Sequence, residues 1–217
     1  MRLGQAGAAG LLALLLGSGA LAAPPPAQRA SAPAADVLAG VAARLDPAPV
    51  VHGRFEQTRR LAGFANPLVA RGDFVLARGR GVSWQTREPF VSSLLVTPER
   101  LVMRGADGTV QQQLQADAQP AMRQVAQTVM AMLQGDLRAL AARFQAEGKL
   151  AGAHGWSLSL VPADAGLRRA FSRIELSGDR FVRSVRWEEA GGDSTLVRMI
   201  EPGTAARLTP EQERRFD

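Results

Sequence analysis

The chain has 217 residues, 26 lysines and arginines against 20 aspartates and glutamates, a formal charge of +6 and no cysteine. Without cysteine there are no disulfides, no thiolate catalysis and no thiolate-bound metals, so stability has to come from a hydrophobic core, which a chain near this size can supply by burying about 70 % of its unfolded surface. The positive balance does not point to nucleic acid: Lys149 is the one lysine, and the arginines alternate with acids (Arg71 with Asp73, Arg186 with Glu188, Glu213 with Arg214) rather than forming a stripe, which leaves a generally solvated basic surface or a basic face that meets anionic membrane surfaces.

The N-terminus reads as an export signal. Arg2 precedes an apolar run from Ala6 to Gly19 centred on Leu11, Leu12, Leu14, Leu15 and Leu16, and Ala20-Leu21-Ala22 is a small-x-small cleavage site. The run is shorter than the roughly 20 apolar residues of a membrane span. Residues 1–22 are therefore expected to be a cleaved signal peptide, residues 23–35 a linker rich in proline and alanine, and residues 36–217 a single soluble domain. No cysteine follows the signal to carry an N-terminal acyl group.

Asp36 is expected to cap a short helix with Val37, Leu38, Val41 and Leu45 on one side, ended by Pro47 and Pro49. From Val50 the hydrophobic period becomes two. Strands are expected from Val50, over Leu68 to Arg78, over Gly81 to Thr86 and over Phe90 to Thr97. Leu101 to Arg104 and Val110 to Leu114 form a further pair, joined by a turn at Gly105-Ala106-Asp107-Gly108. A helical segment starts at Pro120, with Met122, Val125, Val129, Met130, Met132 and Leu133 at helical spacing. Asp136 caps a second piece with Leu137, Leu140 and Phe144 on one face. Trp156, Leu158 and Leu160 then alternate with serines, and Phe171 to Ser177, Phe181 to Glu188 and Thr195 to Ile200 complete a meander. Pro210 opens a short charged tail ending at Phe216. Helix, strands, helices and strands in this order predict a mainly β, α+β fold. One large curved antiparallel sheet would have its hollow side covered by amphipathic helices.

Little suggests catalysis. His52 and His154 are far apart and outside any metal-ligand spacing. Gly155-Trp156-Ser157-Leu158-Ser159 lacks the second glycine of a nucleophile elbow, and Gly148-Lys149 lacks a glycine-rich lead into a phosphate loop. No catalytic residue, metal or cofactor is nominated. Two other features carry more. Leu68, Ala70, Gly72, Phe74 and Leu76 share a strand face that ends in Arg78. A guanidinium there either points into solvent at the strand end or is buried against acceptors such as the orphan carbonyls of a covering helix or loop. Met122, Met130 and Met132 suit either plain core filling or a surface that meets variable apolar ligands.

Phe55-x-Gln57, Gly72-Asp73-Phe74, Arg78, and Trp84 followed by Pro89 occur in an order and spacing that resembles the N-terminal half of LolA, the periplasmic carrier family for outer-membrane lipoproteins. The resemblance implies a half-closed antiparallel β-barrel with an α-helical lid over an apolar cavity. It implies a periplasmic, non-enzymatic monomer that receives acylated protein or lipid cargo from an inner-membrane donor and passes it to an outer-membrane acceptor. Cargo chains would lie against Phe74, Leu76, Trp84 and Leu94 and against the lid residues Met122, Val125, Val129 and Met132. In the family an arginine matching Arg78 latches the lid. Two positions depart from the pattern: Gly79 where a proline often follows that arginine, and Val82 where an aromatic residue often precedes the tryptophan. The lack of a lipid-anchor cysteine separates the chain from the related acceptor LolB. The same half-barrel also resembles the sensing domain of periplasmic stress regulators, which makes a lipid-sensing or protein-binding module the alternative function. A small-substrate hydrolase is the enzyme alternative.

Overall fold

The computed structural model describes residues 34–115, 131, 137–163 and 165–217. Helix α1 (Ala34–Ala42) leads into six strands, β1 (Val50–Arg60), β2 (Leu68–Ala77), β3 (Gly81–Glu88), β4 (Ser92–Val96), β5 (Arg100–Arg104) and β6 (Val110–Gln115). A one-turn helix α2 (Leu137–Ala141) precedes β7 (Phe144–Ala151) and β8 (Gly155–Pro162). A short α3 (Ala165–Ala170) leads to β9 (Phe171–Gly178), β10 (Val182–Glu189) and β11 (Ser194–Ala205), and α4 (Pro210–Arg214) follows.

These eleven strands form one antiparallel sheet in the order β6-β5-β4-β3-β2-β1-β11-β10-β9-β8-β7. Two meanders, β1–β6 and β7–β11, are fused where β1 pairs with β11 over Val50↔Ala205 to Arg60↔Ser194. β6 and β7 are left as the two edges, so the sheet is an open half-barrel. Its curl is visible in one cavity that touches both Leu94 of β4 and Ile174 of β9, although β3, β2, β1, β11 and β10 lie between those strands.

The two-residue period sorts side chains onto two faces. On the inner face of the second meander, Leu158, Leu160, Ile174, Leu176 and Val185 pack with Val37 and Val41 of α1, Leu137 and Leu140 of α2, and Leu167 of α3. Small residues let α1 approach β7. A methyl group on Gly148 would come within 2.9 Å of Val37 and 2.6 Å of Leu158, and one on Gly40 within 2.5 Å of Leu150.

The outer face is mostly charged, with one apolar patch. Val50, Val75, Ala77, Leu95 and Val102 are buried there beneath Phe216, which is only 6 % exposed. A capping box starts α4 and aims the chain: the Gln212 amide donates to Thr209 Oγ1 at 3.2 Å, and the Thr209 amide donates to Gln212 Oε1 at 2.9 Å. Arg80 lies 5.2 Å from the centre of the Phe216 ring, and Arg100 donates to the Phe216 carbonyl at 3.2 Å.

The structure corrects several sequence expectations. α1 begins at Ala34, inside the expected linker, which puts Asp36 in the first turn rather than at the cap. Phe90 and Val91 fall in the loop before β4 instead of in the strand. α2 is too short to carry Phe144, which opens β7. The C-terminal residues form a helix and a core cover rather than a tail. The expected signal peptide and the helical segment from Pro120 to Leu133, apart from Ala131, lie outside the described residues.

Candidate functional site

The inner face of β1–β3 is organised by three aromatic rings. Phe55 sits opposite Gly72, and Phe74 opposite Trp84. Because Gly72 has no side chain, the Phe55 ring crosses β2 and stacks on Trp84 at 3.9 Å between centroids, with the planes 28° apart. Phe74 flanks the same indole at 6.0 Å. A Cβ on Gly72 would meet the Gln85 carbonyl oxygen at 1.8 Å and the Phe55 ring at 2.9 Å. The residues of Phe55-x-Gln57, Gly72-Asp73-Phe74 and Trp84 are thus one packed unit spread over three strands. Gly53 serves similarly: it faces Phe74, and the chain across from it bulges, with Glu201 at φ 49°.

Beside this stack lies a cavity of about 410 Å³. Trp84, Leu94, Val96 and Met103 line it from the first meander, and Phe171, Ile174, Val185, Trp187, Val197 and Met199 from the second. Among the described residues its polar lining is Gln57, Thr86, Ser92 and Ser93, and none of the described lining residues is charged. A ligand here would be held by apolar contact, with a few neutral hydrogen-bonding groups near Ser92 and Ser93.

At the opposite end of the strands a smaller hollow of about 40 Å³ is closed by polar contacts. Arg78, exposed just past the end of β2, donates from Nε to the Ala48 carbonyl at 3.0 Å and from a terminal nitrogen to the Asp46 carbonyl at 2.9 Å. Both acceptors belong to the α1–β1 connection. Asp46 is also tied to the β9–β10 turn: its amide donates to the Arg180 carbonyl at 2.8 Å, and its carboxylate pairs with the Arg180 guanidinium. The Arg180 hydrogen bond, followed by the Ala48 amide, holds the Asp46 carboxyl below the usual carboxylate range. Arg44, two residues earlier, donates to the carbonyls of Gly152 (3.0 Å) and Gly155 in the β7–β8 turn. One short connection after α1 therefore clasps turns from both meanders.

The family profile for the outer membrane lipoprotein carrier protein LolA matches residues 48–212. The chain belongs to the LolA family. Similar solved structures include a LolA superfamily protein from Nitrosomonas europaea, 13 % identical, with a TM-score of 0.45 over 82 % of this chain and 95 % of that one. A putative outer membrane lipoprotein-sorting protein domain from Vibrio parahaemolyticus is 8 % identical, with a TM-score of 0.45 over 85 % and 100 %. A DUF1329 family protein from Desulfovibrio piger is 10 % identical, with a TM-score of 0.38 over 81 % and 93 %. No curated protein matches.

For this LolA-family chain the expected ligand-binding residues divide. Trp84 and Leu94 line the large cavity, while Phe74 and Leu76, buried at 4 % and 3 % exposure, line the small hollow beside it. Val82 and Met199 touch both spaces. Met122, Val125, Val129 and Met132 lie outside the described residues. Sequence reasoning missed the wall built by β9–β11. Its alternation was legible in Val185 and Trp187, but nothing local says that a face of β10 looks across at β4. The Asp46–Arg180 pair was also missed, since 134 residues separate its members.

Proposed function

We propose that this protein is a periplasmic carrier that takes acylated cargo, a lipoprotein or another lipid, into the cavity between the two meanders and passes it from the inner to the outer membrane. The observation that carries this proposal is the cavity of about 410 Å³, with no charged residue among its described lining, on the inner face of an open half-barrel. Membership of the LolA family supports it, and supports carriage rather than enzymatic turnover.

Burial of each methylene contributes about 0.8 kcal/mol, so a single acyl chain in such a cavity binds strongly and leaves slowly. A carrier has to offset that affinity. In this proposal Arg78 does so as a latch: its bonds to the α1–β1 connection stabilise the empty, closed form and are lost when cargo enters. Two exposed charge-assisted bonds contribute together about 2–3 kcal/mol, enough to weaken cargo binding by roughly 30–150-fold. Removing them leaves cargo more tightly held and less readily passed on.

Native mass spectrometry of the mature protein taken gently from periplasm, wild type beside Arg78→Leu, tests both points. An acylated species on the wild type, enriched on the variant, is expected, and its released mass gives the cargo class. Two bare proteins that also fail to take up added acyl lipid would overturn the carrier function and favour a protein-binding module.

A further inference from the structure

Exposed apolar side chains gather at one end of the molecule. The β1–β2 loop (residues 61–67) and the β3–β4 loop (residues 89–91) leave neighbouring strand ends, with Arg59↔Leu68 and Arg71↔Glu88 among their last pairs. Phe90 is 81 % exposed, Phe64 71 %, Leu68 59 % and Val91 56 %, the four most exposed large apolar residues among those described. Scattered exposed apolar residues are ordinary, but the four most exposed among the described residues, on two adjacent loops and the first residue of β2, are a concentration.

The Phe64 tip is braced. Its amide donates to the Leu61 carbonyl at 3.1 Å across a turn in which Gly63 takes φ +82°, a conformation that favours glycine. The Ala62 amide donates to Asp193 Oδ1 at 2.9 Å, which fixes the loop to the β10–β11 turn. That turn and α3 lie at the same end, because Phe171, which follows α3, pairs with Glu189. Three exposed arginines at this end, Arg60, Arg168 and Arg169, have no carboxylate partner among the described residues. Among the described residues Arg168 donates to the carbonyls of Pro162 and Ala163.

We propose that this end docks on an anionic lipid bilayer, with Phe64, Leu68, Phe90 and Val91 entering the headgroup boundary and Arg60, Arg168 and Arg169 meeting lipid phosphates. Aromatic side chains favour that boundary, and exposed apolar tips with arginines at the same end of the molecule fit an interfacial anchor. Two separate projecting tips suit a bilayer, which accepts them anywhere on its surface, better than a protein partner, which would need a matching pocket for each. The cavity adds a second argument. Ser92, the residue after Val91, lines it, as does Thr86 on the other limb of the same hairpin. The docked tips would therefore hold the cavity rim at the membrane. This proposal rests on exposure and charge, and its test reads membrane binding with no cargo present.

The test is sedimentation of the mature protein with vesicles of phosphatidylethanolamine containing phosphatidylglycerol, beside vesicles of phosphatidylcholine alone. Wild type is expected to pellet with the anionic vesicles and to be released by high salt. Phe64→Ser and Phe90→Ser are each expected to weaken binding about tenfold, as removal of one buried phenylalanine side chain from the boundary would. Both positions are exposed, and circular dichroism confirms that the variants fold. As a second readout, Phe90→Trp should add emission that is quenched by lipids brominated on their acyl chains. Wild type that stays in the supernatant, a Phe64→Ser/Phe90→Ser variant that pellets as well as wild type, or capture by native membranes but not by protein-free vesicles would each overturn the proposal, the last by making this end a protein dock.

Discussion

The two meanders use the same inner face differently. In the second, α1, α2 and α3 press onto β7–β10, and Leu160, Ile174 and Leu176 are at most 2 % exposed. In the first, Trp84 and Leu94 remain only half-buried beside open space. The second half packs most of its inner face as core, and its Ile174, Val185 and Trp187 share the cavity wall with Trp84 and Leu94 of the first. A binding cavity and a stable core compete for the same apolar side chains, and in this fold Ile174 and Val185 serve both while Leu160 and Leu176 serve the core.

The sharpest way to break that contrast is a matched pair of truncations. Leu160→Ala, in the filled half, is expected to cost about 3–5 kcal/mol, while Leu94→Ala, facing the cavity, costs about 1 kcal/mol or less yet lowers uptake of a fluorescent fatty acid. Urea unfolding midpoints and probe titration check both, and equal stability losses would erase the distinction between halves. Next in size, Gly72→Ala sets a methyl group against the Gln85 carbonyl and the Phe55 ring, and is expected to cost about 1–3 kcal/mol and to loosen the stack on Trp84. Near-ultraviolet circular dichroism reports the ring packing, and an unchanged spectrum would mean that the stack does not need the bare backbone. The smallest effect concerns the clasp that joins the halves. The Asp46 carboxyl is held below its ordinary range in the folded protein, so its contribution is fully present above about pH 4 and is lost as pH falls through the depressed folded value. Asp46→Asn should therefore be less stable than wild type at neutral pH, with the gap closing in acid. A gap independent of pH would place the effect in packing rather than charge.

Much of the first meander was legible before any coordinates. Period-two alternation marked β1 to β3 and β5, and the spacing of Phe55, Gly72, Phe74 and Trp84 carried the family resemblance, because register brings those residues together. β7 was not legible. Gln145, Ala146, Glu147, Lys149 and Leu150 favour helix, and only pairing with β8 and the closeness of α1 make them a strand. The far wall of the cavity was equally hidden, since periodicity gives a face to each strand but not the faces that meet after the sheet curls.

By itself the sequence determined strand alternation and turn positions, since these depend on neighbours in the chain and on backbone sterics. Tertiary structure alone decided that Phe216 covers an outer core, that Asp46 clasps Arg180, and that Leu94 and Ile174 face one cavity. Those outcomes join residues more than 70 positions apart, and their stabilisation comes from burial and charge pairing that exist only once the sheet has closed on itself as far as it does.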